Sequence, residues 1–331
     1  DTLAPYISSK IEEDEELVGK PTDPKRFDET DLMEREASYG RTGFNLQFML
    51  DTSLADADRY PLKLSDLIVM SLNPLQGPEK PIWGASAENM IQDLPNVGMA
   101  GDRFYGPLTL AGGAWADYTG SVMAIDPSGR GADETSYAVV KMLNGFLFVT
   151  DAGGLSGGYS EDVLKRLAMI AKEQEVNLIR IEANFGDGMF TQLMKPVLSK
   201  IYRVSTEEVK HSIQKERRII DTLEPPMTAH KLVIDRKVVE KDFDSTRHLP
   251  PDKAIRYQLM YQMSRITRVK GSLAHDDRLD VLAMAVSYWT EQMAQDADDQ
   301  MKRRKEEAFR SELDKFMDNA IGTKPKPPSW I

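Results

Sequence analysis

Four short apolar runs between residues 118 and 186 constrain this chain more than any other feature: "SVMAID", "TSYAVVKML", "FLFVTDAGG" and "NLIRIEANFG". Asn144-Gly145 separates the second run from the third, and Asn-Gly between apolar runs is the strongest short hairpin signal. The first three runs therefore read as an antiparallel meander. Between the third and fourth lies "YSEDVLKRLAMIAKEQEV". There Val163, Leu164, Leu167, Ile170 and Ala171 fall on one helical stripe, and Ser160 is placed to cap the helix. The first run ends on Asp126, followed by Pro, Ser and Gly. Those are turn residues, so a turn and a ligand at a strand's end are both open readings of Asp126.

Downstream, "DGMFTQLMKPVLSKIY" reads as a helix, with a break expected before Pro196. "STEEVKHSIQKERRIIDTL" reads as helical and "HKLVIDR" as a strand, and "PDKAIRYQLMYQMSRITRV" contains another helix. "HDDRLDVLAMAVSYWTEQMA" is a helix whose stripe is Leu279, Leu282, Ala283 and Val286. Residues 1–60 are polar and acidic and read as an extension, with "RTGFNLQFMLDTSL" helical and Phe44, Phe48 and Leu50 able to pack. Residues 61–117 hold one plausible strand, "LSDLIVMSL", among many Pro and Gly, and read as a connector. Residues 296–331 read as a charged helical tail with an extended end. Three meander strands, a helix, a strand and then helices is the order of the ribonuclease H-like fold, so residues 118–295 are expected to form an α/β mixed sheet flanked by helices. In that fold the first strand is central and pairs with the fourth. Asp126 and Glu182 then end neighbouring strands.

The chemistry of such a site follows from what the composition leaves. At 331 residues the chain suits two domains or one large one. With no cysteine, thiolate metal sites and cysteine nucleophiles are excluded, and four histidines make a His-rich zinc site a poor expectation. A metal would be held by carboxylates, which suits Mg²⁺ or Mn²⁺. Neighbouring Asp126 and Glu182 repel unless a cation lies between them. Asp276, Asp277 and Asp280 open the late helix, where helix capping and metal ligation are both open readings. Three such acidic positions can hold two divalent ions roughly 3.5–4 Å apart, the device of phosphodiester hydrolysis. Gly129, Gly131, Gly186 and Gly188 leave room beside the acids for a phosphate. A Ser nucleophile is a poor fit, because "GYS" and "GGLSGG" lack the strand-turn-helix elbow with a partnered His.

The net charge of −11 excludes a globally basic nucleic-acid binder. Residues 195–270 nonetheless carry 17 Lys and Arg against 10 Asp and Glu. Arg265, Arg268 and Lys270 precede the late acids and are candidates for phosphate contact, while 210–218 reads equally as a solvated basic face. The Tyr and Met of "RYQLMYQM" read as core. No secretory signal and no apolar run of spanning length is visible, so no membrane partner is expected.

"AIDPSGRGADETSYAVV", "IRIEANFGDGMF" and "HDDRLDVLAMAV" resemble the three nuclease motifs of the large terminase subunit of tailed bacteriophages, most closely the T7-like ones. "RTGFNLQFML" is similar to the stretch that leaves that family's ATPase lobe, which would make residues 1–60 the end of that lobe. The resemblance implies a two-metal endonuclease that cuts concatemeric double-stranded phage DNA during packaging. Its ligands would be Asp126, Glu182 and Asp277, with Asp276 or Asp280 as alternatives to the last and Asp133 as an additional acid. It further implies the procapsid portal, the small terminase subunit and other copies in a ring motor as partners, in the host cytoplasm. The sequence has no G-x-x-x-x-G-K-[ST] phosphate-binding loop, so the ATPase half is not expected in this chain. Another ribonuclease H-like enzyme, such as a resolvase or transposase, and a non-catalytic DNA- or portal-docking module are the competing readings.

Overall fold

The computed structural model describes residues 5–14, 17, 20–49, 59–128, 134–183, 188–211 and 213–295. The chain divides into two compact units, Asp1–Pro61 and Leu62–Ile331. In the first, helices α1 (Pro5–Glu13) and α2 (Glu29–Phe48) are described. Phe44 and Phe48 lie on one turn of α2 and stack at 5.2 Å, while the Arg35 guanidinium lies over the rings of Phe27 and Phe48. The helix expected around Phe44 thus begins much earlier, at Glu29. Leu50 lies outside the described residues.

The second unit is built on short strands β1 (Ile68–Met70), β2 (Gln76–Pro78), β3 (Pro81–Ile82), β4 (Met90–Ile91), β5 (Phe104–Tyr105), β6 (Thr109–Leu110) and β7 (Trp115–Asp117), then on longer ones. Those are β8 (Gly120–Asp126), β9 (Thr135–Leu143) and β10 (Phe146–Leu155), followed by β11 (Leu178–Glu182), β12 (Ser205–Val209) and β13 (Leu232–Asp235). Nine of them form one sheet in the order β12-β11-β8-β9-β10-β13-β1-β5-β4. β8, β9 and β10 are the expected meander. Asn144 and Gly145 both have positive φ, 51° and 76°, as the tight turn between β9 and β10 requires. β11 lies parallel to β8, with Ile181 opposite Ile125. Between β10 and β11 the chain forms α3 (Glu161–Glu173), whose capping residue Ser160 accepts from the Val163 N–H through its side chain.

Alternation along the strands fixes two faces. Met123, Ile125, Tyr137, Val139, Ile179 and Ile181 pack with α3 and with α4 (Met189–Ile201). Val122, Ala124, Ala138 and Val140 pack instead with α5 (Lys215–Thr228), α8 (Leu259–Arg265) and α9 (277–295). Helices α6 (Arg236–Ser245) and α7 (Pro251–Tyr257) precede α8. The expected stripe of α9 (Leu279, Leu282, Ala283 and Val286) is fully buried. Met260 and Met263 are core, as read from the sequence. Burying each such side chain is worth about 1.5–3 kcal/mol.

Three expectations are corrected. Residues 61–117 are more than a connector: β1 pairs parallel to β13, β5 and β4 extend the sheet, and Leu62, Leu64, Leu67 and Phe104 enter the core. Residues 205–209 form an edge strand parallel to β11 rather than the start of a helix, because Ser205–Val209 finds backbone partners on Leu178–Glu182. Helix α4 runs through Pro196 without a break; that residue sits in its second half, where Ser199 Oγ bonds to the Pro196 carbonyl.

Candidate metal centre

Strand pairing brings the acids together. β8 and β11 lie side by side and each ends on its carboxylate, Asp126 and Glu182. Both follow an isoleucine that points into the α3–α4 layer, so both point to the opposite face, which α9 crosses. There the first turn of α9 contributes Asp280. Carboxylate oxygens of Asp126, Glu182 and Asp280 all lie within 4.8 Å of one another, with Asp126 and Asp280 buried and Glu182 half-buried. An all-carboxylate donor set of this size fits a hard divalent cation.

Burial, and then the neighbouring Glu182, push the Asp126 carboxyl up to about 8, with Asp277 and Asp280 adding to the rise. Lys215, the first residue of α5, works in the other direction. Its Nζ lies 2.7 Å from Asp276, 3.2 Å from Asp280 and 3.6 Å from Asp277. Burial opposes its charge, but Asp280 and Asp276 outweigh burial and hold the ammonium well above the ordinary lysine range. One turn along α5, Arg218 Nη2 meets Asp280 Oδ1 at 2.5 Å, while Asp280 Oδ2 is the oxygen that lies 3.2 Å from Lys215 Nζ. Arg218 and Lys215 together therefore fix the Asp280 carboxylate. Burial, and then Arg218, lower the pKa of the His211 ring from its ordinary value.

Just beyond β8 the Ser128 N–H donates to Thr135 Oγ1, at the start of β9, at 3.1 Å. Gly188 precedes α4 with φ 79°, and Glu208 lies where its Cβ would be. Asp133, Gly129, Gly131 and Gly186 lie outside the described residues, as does the tail 296–331.

The structure gathers Asp126 and Glu182 as expected, and Asp280, named as an alternative, into one cluster. Asp277 stays within electrostatic reach of Asp126, and Asp276 holds Lys215. The phosphate-contact candidates divide. Arg265 bonds the Gly98 carbonyl and the Met99 sulfur, and Arg268 forms half-exposed ion pairs with Asp221 and Glu224, so both guanidiniums have partners within the fold. Lys270 is exposed and makes no ion pair among the described residues. Sequence reasoning missed Lys215 and Arg218 as neighbours of the acids. Their spacing of three on a helix was the available signal, since it puts both on one face.

A family model described as "Terminase Bacteriophage T7, Ribonuclease H-like domain" matches residues 125–232, a span that includes Asp126 and Glu182. The "Terminase, large subunit" of Enterobacteria phage T3 is 43% identical over 296 residues, covering 89% of this chain and 50% of that protein. Among solved structures, the large terminase nuclease of thermophilic phage G20c is 10% identical and covers 69% of this chain and 98% of its own, with a TM-score of 0.38. A large terminase fragment of bacteriophage Sf6 with calcium is 12% identical, covering 52% of this chain and 90% of its own, with a TM-score of 0.38. Among the described residues, no helix is long and apolar enough to cross a membrane. The chain spans about half the length of the T3 protein; it belongs with the T3/T7-like large terminase subunits and carries their ribonuclease H-like nuclease domain.

Proposed function

We propose that this chain is the metal-dependent endonuclease part of a genome-packaging motor, hydrolysing phosphodiester bonds of concatemeric double-stranded phage DNA. The observation that carries this reading is the convergence of the Asp126, Glu182 and Asp280 carboxylates within 4.8 Å at the ends of two paired strands and the start of one helix. These three side chains would hold Mg²⁺ or Mn²⁺, with Asp277 near enough to serve a second ion. Bound there, the ions would activate the attacking water and stabilise the leaving oxygen. The chain's own groups do the rest. The sheet fixes Asp126 beside Glu182, Arg218 orients Asp280, and Lys215 neutralises the acids of α9. The identity with the T3 large terminase subunit supports DNA as substrate. It also supports the procapsid portal, the small terminase subunit and further copies of the chain as partners in the host cytoplasm.

The test is nicking and linearisation of plasmid with Mg²⁺ or Mn²⁺ by the wild-type chain and by Asp126→Asn, Glu182→Gln and Asp280→Asn. Cleavage by the wild type, and its loss in three variants that keep their circular dichroism, supports the reading. A folded wild type that binds DNA but never cuts it with either ion favours the non-catalytic docking module instead.

A further inference from the structure

The two most exposed large apolar side chains among the described residues of the second unit lie on neighbouring segments beside the metal centre. They are Ile213, 68% exposed, and Val269, 70% exposed. Ile213 stands two residues before Lys215, whose ammonium reaches the acids of α9. Val269 stands in the turn that leads into those acids. The two segments are tied together: Gln214 Nε2 donates to the Arg268 carbonyl at 3.3 Å, and the Gly271 N–H donates to Glu216 Oε1 at 2.5 Å.

The turn that carries Val269 is braced from within. Thr267 N–H donates to Ser272 Oγ, Val269 N–H to Thr267 Oγ1 and Ser272 N–H to the Val269 carbonyl. Arg268 anchors it to α5 through Asp221 at 2.6 Å and Glu224 at 2.8 Å. Gly271 takes the positive φ, 72°, that closes the turn. A braced turn holds Val269 in water, although a hydrophobic side chain loses free energy there. Within four residues of one or other of the pair in sequence, Lys210, Arg217 and Lys270 are exposed and make no ion pair among the described residues. An exposed aliphatic pair on segments that also carry such cations suits a polyanion with an apolar interior better than it suits another protein.

We infer that Ile213 and Val269 form a twin apolar wedge that enters the minor groove of the duplex presented to the metal centre, while Lys210, Arg217 and Lys270 take the flanking phosphates. The inference rests on the nuclease reading above and adds how the duplex is gripped. Apolar wedges of this kind partly unstack a base step and bend the duplex, and cationic side chains supply the sequence-independent, salt-sensitive part of binding. The wedge would therefore give the enzyme a preference for deformable steps without reading bases.

The experiment uses the full chain without divalent ions, so that binding is separated from cleavage. The probe is a short duplex carrying a fluorescent purine analogue that brightens on unstacking, titrated at several salt concentrations. Wild type is compared with Ile213→Ser/Val269→Ser and with Lys210→Ala/Arg217→Ala/Lys270→Ala. Withdrawing two aliphatic contacts is expected to weaken binding roughly tenfold. It should abolish the brightening, while the salt slope, the melting temperature and the Mn²⁺ affinity stay at the wild-type values. The triple variant should lower the salt slope by about 2–3. If the serine variant binds and brightens the probe like wild type, the wedge is overturned. If it changes only the self-association of the chain, the pair is a protein contact and the wedge is overturned again. A wild type that binds no duplex at all overturns both the wedge and the nuclease reading. One that binds and cuts, with indifferent variants, overturns the wedge alone.

Discussion

Arg278 grips Glu134 through two parallel bonds, Nε to Oε1 at 2.6 Å and Nη2 to Oε2 at 2.8 Å. The same guanidinium donates to Asp242 at 2.8 Å and to Ser245 Oγ at 3.0 Å, and Asp242 in turn accepts the Leu259 and Met260 N–H groups at the start of α8. Arg278 is 2% exposed and follows Asp277 directly. Glu134 directly precedes β9. One buried cation thus ties the helix of the third acid to the strand next to the first. Burial opposes its charge, and Glu134 and Asp242 outweigh burial. Replacing Arg278 by Met leaves two acids without a counter-charge and should cost about 3–5 kcal/mol in urea denaturation. A loss under about 1 kcal/mol would show that the network carries no net stability.

Gly154 belongs to the same network, because a Cβ there would meet the Glu134 carboxyl at 1.9 Å. Gly154→Ala should therefore act by evicting Glu134. In a double-mutant cycle with Glu134→Ala, the second substitution should add little to the first. Simple additivity of the two losses would place the effect of Gly154 elsewhere.

Lys215 and the bound cation compete for the same acids. With Lys215→Ala, Asp276, Asp277 and Asp280 lose their shared counter-charge, so the metal-free protein should melt at a lower temperature. The rise in melting temperature on adding Mn²⁺ should be larger than in wild type. Scanning calorimetry with and without Mn²⁺ checks both, and an unchanged Mn²⁺ response would remove Lys215 from the competition.

Asp126 sets a pH dependence. Its folded pKa, about 8, lies above the ordinary value of 3.8. The metal-free fold therefore prefers the protonated carboxyl. The stability this contributes is fully present below about pH 4 and is lost as pH rises through about 8. A cation needs the carboxylate, so its binding should release a proton and strengthen up to about pH 8. Calorimetric titration with Mn²⁺ in buffers of different ionisation enthalpy reads the proton directly. Asp126→Asn should abolish its release.

Lys141 gives the opposite signature. Its ammonium is buried, bonded to the carbonyls of Pro74 and Gln174, and burial lowers its pKa from 10.5 to about 8. The unfolded chain binds more protons than the folded one between those values, so this group makes stability rise from about pH 8 to about 10.5. Lys141→Met should flatten that rise in pH-dependent chemical denaturation.

The meander, its Asn-Gly turn, α3 and the buried stripe of α9 were legible because each depends on a local period or a turn residue. Residues 205–209 were not. "STEEV" is an edge strand with exposed glutamates, held by backbone bonds to β11, and with only Val209 buried it leaves no alternation to read. The pieces of 61–117 that join the sheet are two or three residues long, below the length at which a period exists. At the site, the order of elements located Asp126 and Glu182. The choice among Asp276, Asp277 and Asp280 depends on the rotation of α9 against the sheet. Arg278 and Leu279 turn into the core and carry Asp280 with them, and that rotation is set by the partners of Arg278, which are remote in sequence.

Strand β1 lies between β13 and β5, with Val69 opposite Ile234. Its parallel partner is made only after the meander, α3, β11 and α5 have left the ribosome. During synthesis β1 can pair only with β5 at first, so its edge toward β13 must wait while the rest of the sheet assembles. Completion of the sheet is in this sense a late checkpoint. A strand near the start of the second unit locks in only once most of the sheet exists to receive it.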